Sequence, residues 1–474
     1  MSTDGGAILL IPIDRALQLT ESLAAALDDS RQAGKVQHAV VELVRQRVFA
    51  IAHGYPDGND AAALARDPAL LLACERSPLG GEPLASQPTL SRFENTADPR
   101  RLLRMAEALN RTVLAHQQQS RRHRPPRLLR IDIDPTCDPT HGQQEFSAFN
   151  GFYGTSCYLP LLVTVSFDAE PTQYLVAAVL RPGKAHAMTG TLGVVRRLVE
   201  LVREYFPRVR LRLRADSAFA VPQMLECLEA AGLEYVIGMP TNAVLARAST
   251  RLMRRARARC RCSGRKVTLF GEVAYRAGSW SRRRRVVYKA EVVVYPEREP
   301  RDNDRYVLTN LKRSPRGVFA EYHGHHDMEN RIKEVKLDLR MDKTSCAGFA
   351  ANQFRVLLSL AAAMLLQAFQ ATVAAGSEFA GAQMGTLRER LFKRAVRVTE
   401  SARREWGQIR TRDRSRASKA WRSWSRGPLA GNSEPFCSCK IDLASRQAVA
   451  LYCPAFRSRG LSVVPALRQE IKSQ

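Results

Sequence analysis

Leu128-Leu129-Arg130-Ile131-Asp132-Ile133-Asp134-Pro135 is the stretch from which the fold is read. Apolar and charged residues alternate along it. A strand here puts Leu129, Ile131 and Ile133 on one face and Arg130, Asp132 and Asp134 on the other, and Pro135 ends it. Val209 to Asp216 repeats the pattern, with Val209, Leu211, Leu213 and Ala215 opposite Arg210, Arg212, Arg214 and Asp216. Between these two, Tyr158 to Ser166 and Gln173 to Arg181 read as strands and Val194 to Tyr205 as a helix. Helix Pro222 to Ala231 and strand Tyr235 to Pro240 follow. The order β-β-β-α-β-α-β predicts an α/β fold. Asp134 and Asp216 then lie at the carboxyl ends of their strands, where open α/β sheets bind ligands. A single Asp at a strand end ordinarily caps a turn; two on strands in this order point to an ion site.

Outward from this block, residues 1–125 predict a mostly helical N-terminal region, with helical spacing in Leu17 to Leu27, Val36 to Ile51 and Arg101 to Ala115. Leu84 to Asn95 resembles the turn and start of a recognition helix, with Thr89, Ser91 and Arg92 as DNA contacts; the plain alternative is a capped helix. Arg121 to Arg127 is a basic linker. Residues 126–245 form the first part of the core, 246–315 a basic β-rich insertion, 316–385 the last part, and 386–474 a basic segment with a poorly ordered tail. The insertion carries Trp280 just before the run Arg282 to Arg285, with Arg283 and Arg284 as DNA contacts. An aromatic there can stack on an unpaired base, or pack on the insertion's own sheet.

Across 474 residues, 73 Lys and Arg stand against 46 Asp and Glu, a net charge of +27. This asks for a polyanionic partner. Hydrophobic content of 45% excludes disorder throughout. The longest apolar run, Val356 to Leu366, breaks at Gln367, short of the ~20 residues of a bilayer span, and no signal peptide opens the chain. Cys260/Cys262 and Cys437/Cys439 lack zinc spacing. These features predict a protein of the cytoplasm, associated with DNA and not with membrane.

The third carboxylate comes from helix geometry. At ~100° per residue, Tyr322, His325, Glu329 and Lys336 fall within one stripe roughly 60° wide. Met328, Ile332, Val335 and Leu339 cluster roughly 80° away as the packing face, and Asp327 and Glu334 point to solvent. Three carboxylates in a basic protein suit hard divalent cations, Mg²⁺ or Mn²⁺, rather than zinc.

Tyr322-x2-His325-x3-Glu329-x6-Lys336 resembles the Tyr-Arg-Glu-Lys signature of the DDE transposases of bacterial insertion sequences. Asp327 to Glu334 with Leu337-Asp338-Leu339 is similar to DDE group 1, within it the insertion-sequence family called "thirteen-eighty". Gly54-Tyr55, Gln87 to Arg92, His141 to Gln144, Phe149 to Tyr153, Arg214 to Ser217 and Ala351 to Arg355 fit the same resemblance, which runs from about residue 4 to 370. It implies a ribonuclease-H-like core with a β-rich insertion. It further implies Asp134, Asp216 and Glu329 as catalytic ligands of two Mg²⁺ or Mn²⁺ ions, with Asp132 the rival of Asp134. Tyr322, His325 and Lys336 would hold DNA-end phosphates. The implied activity is cut-and-paste transposition by a homodimer on double-stranded DNA, at terminal inverted repeats and then at a target. His325 stands where the family has Arg, and the chain opens almost at the family's Asp4-Gly5-Gly6 string. The alternatives are a structure-specific nuclease on the same core and a catalytically silent copy that occupies ends.

Overall fold

The computed structural model describes residues 1–29, 31–374, 377–401, 404–409 and 437–440. The tail expected over 427–474, apart from 437–440, lies outside the described residues, as do 402–403 and 410–426 of the basic segment expected from 386. Among the described residues seven α-helices precede the first long strand: α1 (Ala7–Leu17), α2 (Leu19–Ala26), α3 (Val40–Ala52), α4 (Ala61–Leu64), α5 (Pro68–Ala73), α6 (Gln87–Glu94) and α7 (Pro99–Ser120). The chain divides into two compact units. One comprises Met1–Thr20, Asp29–Phe93 and Leu365–Gln474, the other Glu21–Asp28 and Glu94–Met364.

In the first unit the start of the chain is built into the core. Asp4, 1% exposed, accepts hydrogen bonds from Tyr55 Oη at 2.9 Å and Lys393 Nζ at 2.6 Å. A side chain at Gly6 would run into Phe392. Asp67 caps α5 by accepting the amides of Ala69 and Leu70, both at 3.0 Å. On α6, Arg92 is exposed and donates to Thr89 Oγ1 at 3.3 Å.

The second unit carries the long strands β1 (Leu128–Pro135), β5 (Leu161–Phe167), β6 (Tyr174–Val179), β7 (Arg210–Ala215), β8 (Glu234–Met239), β9 (Val267–Tyr275), β10 (Arg284–Tyr295) and β11 (Arg298–Thr309). The short β2 (Asp138–Pro139), β3 (Ala148–Asn150) and β4 (Thr155–Tyr158) form a separate three-stranded sheet. The long strands make one mixed sheet in the order β6-β5-β1-β7-β8-β11-β10-β9. β1, β7 and β8 run parallel; the other neighbours are antiparallel. With helices α8 (Thr191–Tyr205), α9 (Pro222–Ala230), α10 (Ala243–Ser263), α11 (Pro315–His323), α12 (Asp327–Lys333) and α13 (Phe349–Thr372), the architecture is mixed α/β.

Three details depart from the sequence reading. The strand read as continuous from Tyr158 to Ser166 is broken between β4 and β5, because Pro160 has no amide to give a ladder. The region 246–315 is not purely β. It opens with the 21-residue α10, and its three strands extend the main sheet. The apolar helix is longer than its sequence suggested. At 24 residues α13 is long and apolar enough to cross a bilayer, but 83% of its most apolar window is buried inside the protein.

A candidate active site at the carboxyl edge of the parallel strands

Register brings the two strand-end carboxylates together. Asp132 pairs with Arg214 and Ile133 with Ala215 across the parallel β1–β7 ladder, so Asp134 and Asp216 stand side by side one step beyond it. They share a face with Asp132 and Arg214, because side chains on one face recur every second residue.

That shared face is not solvated. Asp132 is 0% exposed, Arg212 1% and Arg214 5%. Arg214 grips Asp132 with two bonds of 2.7 Å, through Nε and NH2. Gln173 Nε2 donates to Asp132 at 3.2 Å, and His325 Nδ1 lies 3.0 Å from its other oxygen. Beside this pair, the buried Glu321 of α11 pairs with Arg130, with Arg212 at 2.5 Å and with Arg313 at 3.2 Å. Burial pushes the Glu321 carboxyl up, and the guanidinium groups of Arg130, Arg212 and Arg214 more than reverse it, leaving it below the usual carboxylate range. Alternation alone makes these arginines a solvent face and gives no sign of the roles of Arg130, Arg212, Gln173 and Glu321. The available signal is charge complementarity in register, acid on one strand facing base on its neighbour.

One step up, the pattern inverts. Asp134 makes no hydrogen bond or ion pair among the described residues. Its carboxyl is pushed up to about 7, first by burial; His325 opposes this, and the charges of Asp216, Glu329 and Asp132 add to it. Asp216 is raised as well, again chiefly by burial, against the Ala218 amide it accepts at 3.0 Å as cap of the turn Ser217–Phe219. It therefore caps a turn and faces Asp134 at once. With Asp132 saturated by Arg214, Gln173 and His325, Asp134 is the β1 carboxylate left open.

The segment from Tyr322 to Lys336 is three kinds of helix in series. α11 ends at His323, Gly324–His326 form a 3-10 turn, α12 covers Asp327–Lys333, and Glu334–Asp338 form a π turn. Uniform 100° steps fail across such a segment. Glu334, expected in solvent, is 4% exposed and pairs with Arg331, while Leu337 is 66% exposed. Glu329 is exposed, as is Asp327. Tyr322 is half-buried, its hydroxyl against Gly238 of β8, where an added Cβ would lie 2.7 Å from Oη and 3.0 Å from the Ser217 amide. Burial, then the charge of Asp216, raises the Tyr322 phenol. Lys336 donates to the Cys137 carbonyl, three residues beyond Asp134.

Several of the expected DNA contacts are buried. His325 is 8% exposed and turned onto Asp132, so it faces the protein. Trp280 is 3% exposed; it meets Tyr275 edge-on at 5.5 Å and lies under Arg284 at 5.4 Å. Arg284, 5% exposed, is held by Glu229 through two bonds of 2.8 Å. Trp280 thus packs against residues of β9 and β10. Arg283 is exposed.

The chain matches the family described as transposase DDE domain group 1 over residues 1–412. It belongs to that family. No curated protein matches it. For a DDE transposase the donor chemistry fits a divalent cation. Asp134 and Asp216 are oxygen donors side by side, uncompensated by any internal cation bound to them among the described residues, and the Glu329 carboxylate acts on Asp134 electrostatically. Among the described residues no three His, Cys, Asp or Glu side chains converge closely enough to hold one ion.

Proposed function

We propose that this transposase binds the terminal inverted repeats of its own element, cleaves phosphodiesters there and joins the freed 3′-hydroxyls to target DNA. Strands β6-β5-β1-β7-β8 are read as a ribonuclease-H-like core, and the thirteen-eighty group as the insertion-sequence family. The observation that carries the reading is the uncompensated pair Asp134 and Asp216 above a layer in which every acid is neutralised.

Asp134, Asp216 and Glu329 would hold two Mg²⁺ or Mn²⁺ ions. Such ions, when bound, activate a water or 3′-hydroxyl and stabilise the leaving oxygen. Burial raises both the Asp134 and the Asp216 carboxyls, and the charges of Asp216 and Glu329 raise Asp134 further, so a bound cation would relieve what opposes their charge. Tyr322, beside Asp216, and Lys336, beside the exit of β1, would orient the DNA strand, and Arg92 on α6 would contact the end. Two ends require two such sites, which a homodimer supplies, and a basic chain of this kind works at the nucleoid in the cytoplasm.

The test is cleavage of a labelled duplex carrying the element's own end, with Mg²⁺, Mn²⁺ or EDTA, for wild type and Glu329→Ala. Metal-dependent nicking at the boundary, lost in the variant, is expected. Nicking that survives Glu329→Ala removes that ligand assignment. End binding without nicking identifies a silent copy, and nicking without joined products a nuclease.

A further inference from the structure

The basic run from Arg247 to Lys266 remains unused by the site. Asn242 caps α10 by accepting the Val244 and Leu245 amides at 3.1 and 3.0 Å, and Gly264 ends it in the left-handed conformation, φ +63°. Leu245, Ser249, Met253, Ala256 and Cys260 form its buried face, seated on Ala290 and Val292 of β10. Val287 of β10 instead packs with Val318 and Phe319 of α11. Alternate residues of a strand face opposite ways, so α10 lies on the side of the sheet away from α11 and Tyr322.

Between Ala243 and Lys266 there are nine Arg and Lys residues and no acid. Arg257 pairs with Asp302, and Lys266 with Glu291 at 3.0 Å. Arg247, Arg251, Arg254, Arg255, Arg259 and Arg261 are exposed and make no ion pair among the described residues. At ~100° per residue Arg247, Arg251, Arg254, Arg255 and Arg261 fall on the side opposite the buried face and Arg259 on its flank, over about 21 Å of axis. Like charges three and four apart, such as Arg247/Arg251 and Arg251/Arg255, destabilise a helix. The surface helices α7 and α8 set acids among their arginines. Arg111 there meets Glu107 and Glu204, and Arg197 meets Glu107 and Glu200. On α10 the repulsion is uncompensated, as for a surface whose counter-charges come from a partner.

We propose that this arginine face of α10 tracks the phosphates of duplex DNA without reading sequence, holding flanking or target DNA rather than the element's end. No Asn or Gln lies within the helix to read adenine edges, and the comparison of two unrelated sequences below separates phosphate tracking from arginine contacts to guanine. A spacing of one phosphate charge per ~1.7 Å of duplex supplies several partners along it. α10 begins four residues after β8, a strand parallel to β1 and β7, so its N-terminal end sits at the sheet edge that carries Asp134 and Asp216.

This rests on the transposase reading, and one experiment separates the two. Affinity for an arbitrary duplex of about 40 base pairs is measured against salt for wild type and for Arg251, Arg254, Arg255 and Arg259 together changed to Gln; the slope should fall by roughly 2–4. Binding at fixed low salt should weaken at least about tenfold, equally on two unrelated sequences. The paired control Arg197→Gln should leave the slope unchanged. A slope change below about one overturns the proposal. So does a loss confined to the element's end, or one seen on an RNA duplex and not on DNA. The thermal midpoint of the quadruple variant should hold or rise as repulsion is relieved. If that variant does not fold, Arg251→Gln with Arg255→Gln should give about half the slope change. Wild-type protein that never nicks, with the slope lowered as expected, sinks the catalytic reading alone; normal nicking with an unchanged slope sinks this one alone.

Discussion

Asp132 and Asp134 sit two residues apart on β1, on the same face, and their surroundings are opposite. Asp132 is fully buried and saturated by Arg214, Gln173 and His325. Asp134 has no internal cation bound to it among the described residues, and burial drives its carboxyl up to about 7. The arginines that neutralise the lower layer stop at the level of Arg214, and at the next level the strand offers Asp216 in place of a base. The difference teaches that a carboxylate's role here is set by what its cross-strand neighbour carries. A buried acid with a guanidinium opposite is structural, and the same acid opposite another acid is suited to an external cation.

The sharpest way to break this comparison is to exchange the two roles by mutation. Asp134→Asn should cut metal-dependent cleavage by at least about a thousandfold, the scale of a lost electrostatic anchor in an active site, with the fold intact. Asp132→Ala should instead destabilise the protein by about 3–5 kcal/mol, because it strands Arg214 in the interior. Paired denaturation and cleavage measurements decide it. Equal loss of stability in both variants would erase the distinction.

A second measurement sharpens it through pH. The unfolded Asp134 titrates near 3.8 and the folded one near 7. Its stabilising contribution is therefore present below the unfolded value and lost as pH rises through about 7. The raised Asp216 acts in the same direction. Metal-free protein should be less stable at pH 8 than at pH 5, by on the order of 3 kcal/mol for Asp134, and Mg²⁺ should restore stability at pH 8. Glu321, held low, works the other way and matters only in acid. Asp138, also pushed up to about 7 by burial, adds to the trend. Asp138→Asn should therefore keep the Mg²⁺ response that Asp134→Asn loses. Thermal midpoints at the two pH values, with and without Mg²⁺, check this.

The smallest effect concerns the wall of the site. Gly238→Ala places a methyl group 2.7 Å from the Tyr322 hydroxyl and should cost about 1–3 kcal/mol in overpacking. If Tyr322 orients DNA beside Asp216, Gly238→Ala and Tyr322→Phe should each weaken end binding by roughly tenfold, about 1.4 kcal/mol. Gly238→Ala with unaltered binding would separate the tyrosine from the DNA.

Alternation makes β1 and β7 legible from the residues alone, because period-two patterning fixes which residues share a face. It does not reveal that both faces are covered, since burial of the charged face depends on α11 and its Glu321 arriving from nearly 200 residues further on. The arginine run near Trp280 misleads for the same reason. Glu229 on α9 and Glu272 on β9 satisfy Arg284 and Arg285, and no local pattern announces a distant partner. α10 is a different case, legible in principle. Its Asn242 cap, its buried positions at steps of four and three, and its closing Gly264 are all local signals that the density of arginine obscures.

The mixed pitch between Tyr322 and Lys336 has a consequence for how such sites evolve. A 3-10 turn overwinds relative to an α-helix and a π turn underwinds. Over the whole span the two errors largely cancel, so the ends of the signature keep their phase while residues between them, Glu334 among them, exchange sides. A motif written as fixed gaps is a ruler that counts residues, whereas the protein counts rotation. A one-residue deletion within 334–338 would leave the motif's first three letters intact on paper and turn everything beyond it by about a quarter of a circle.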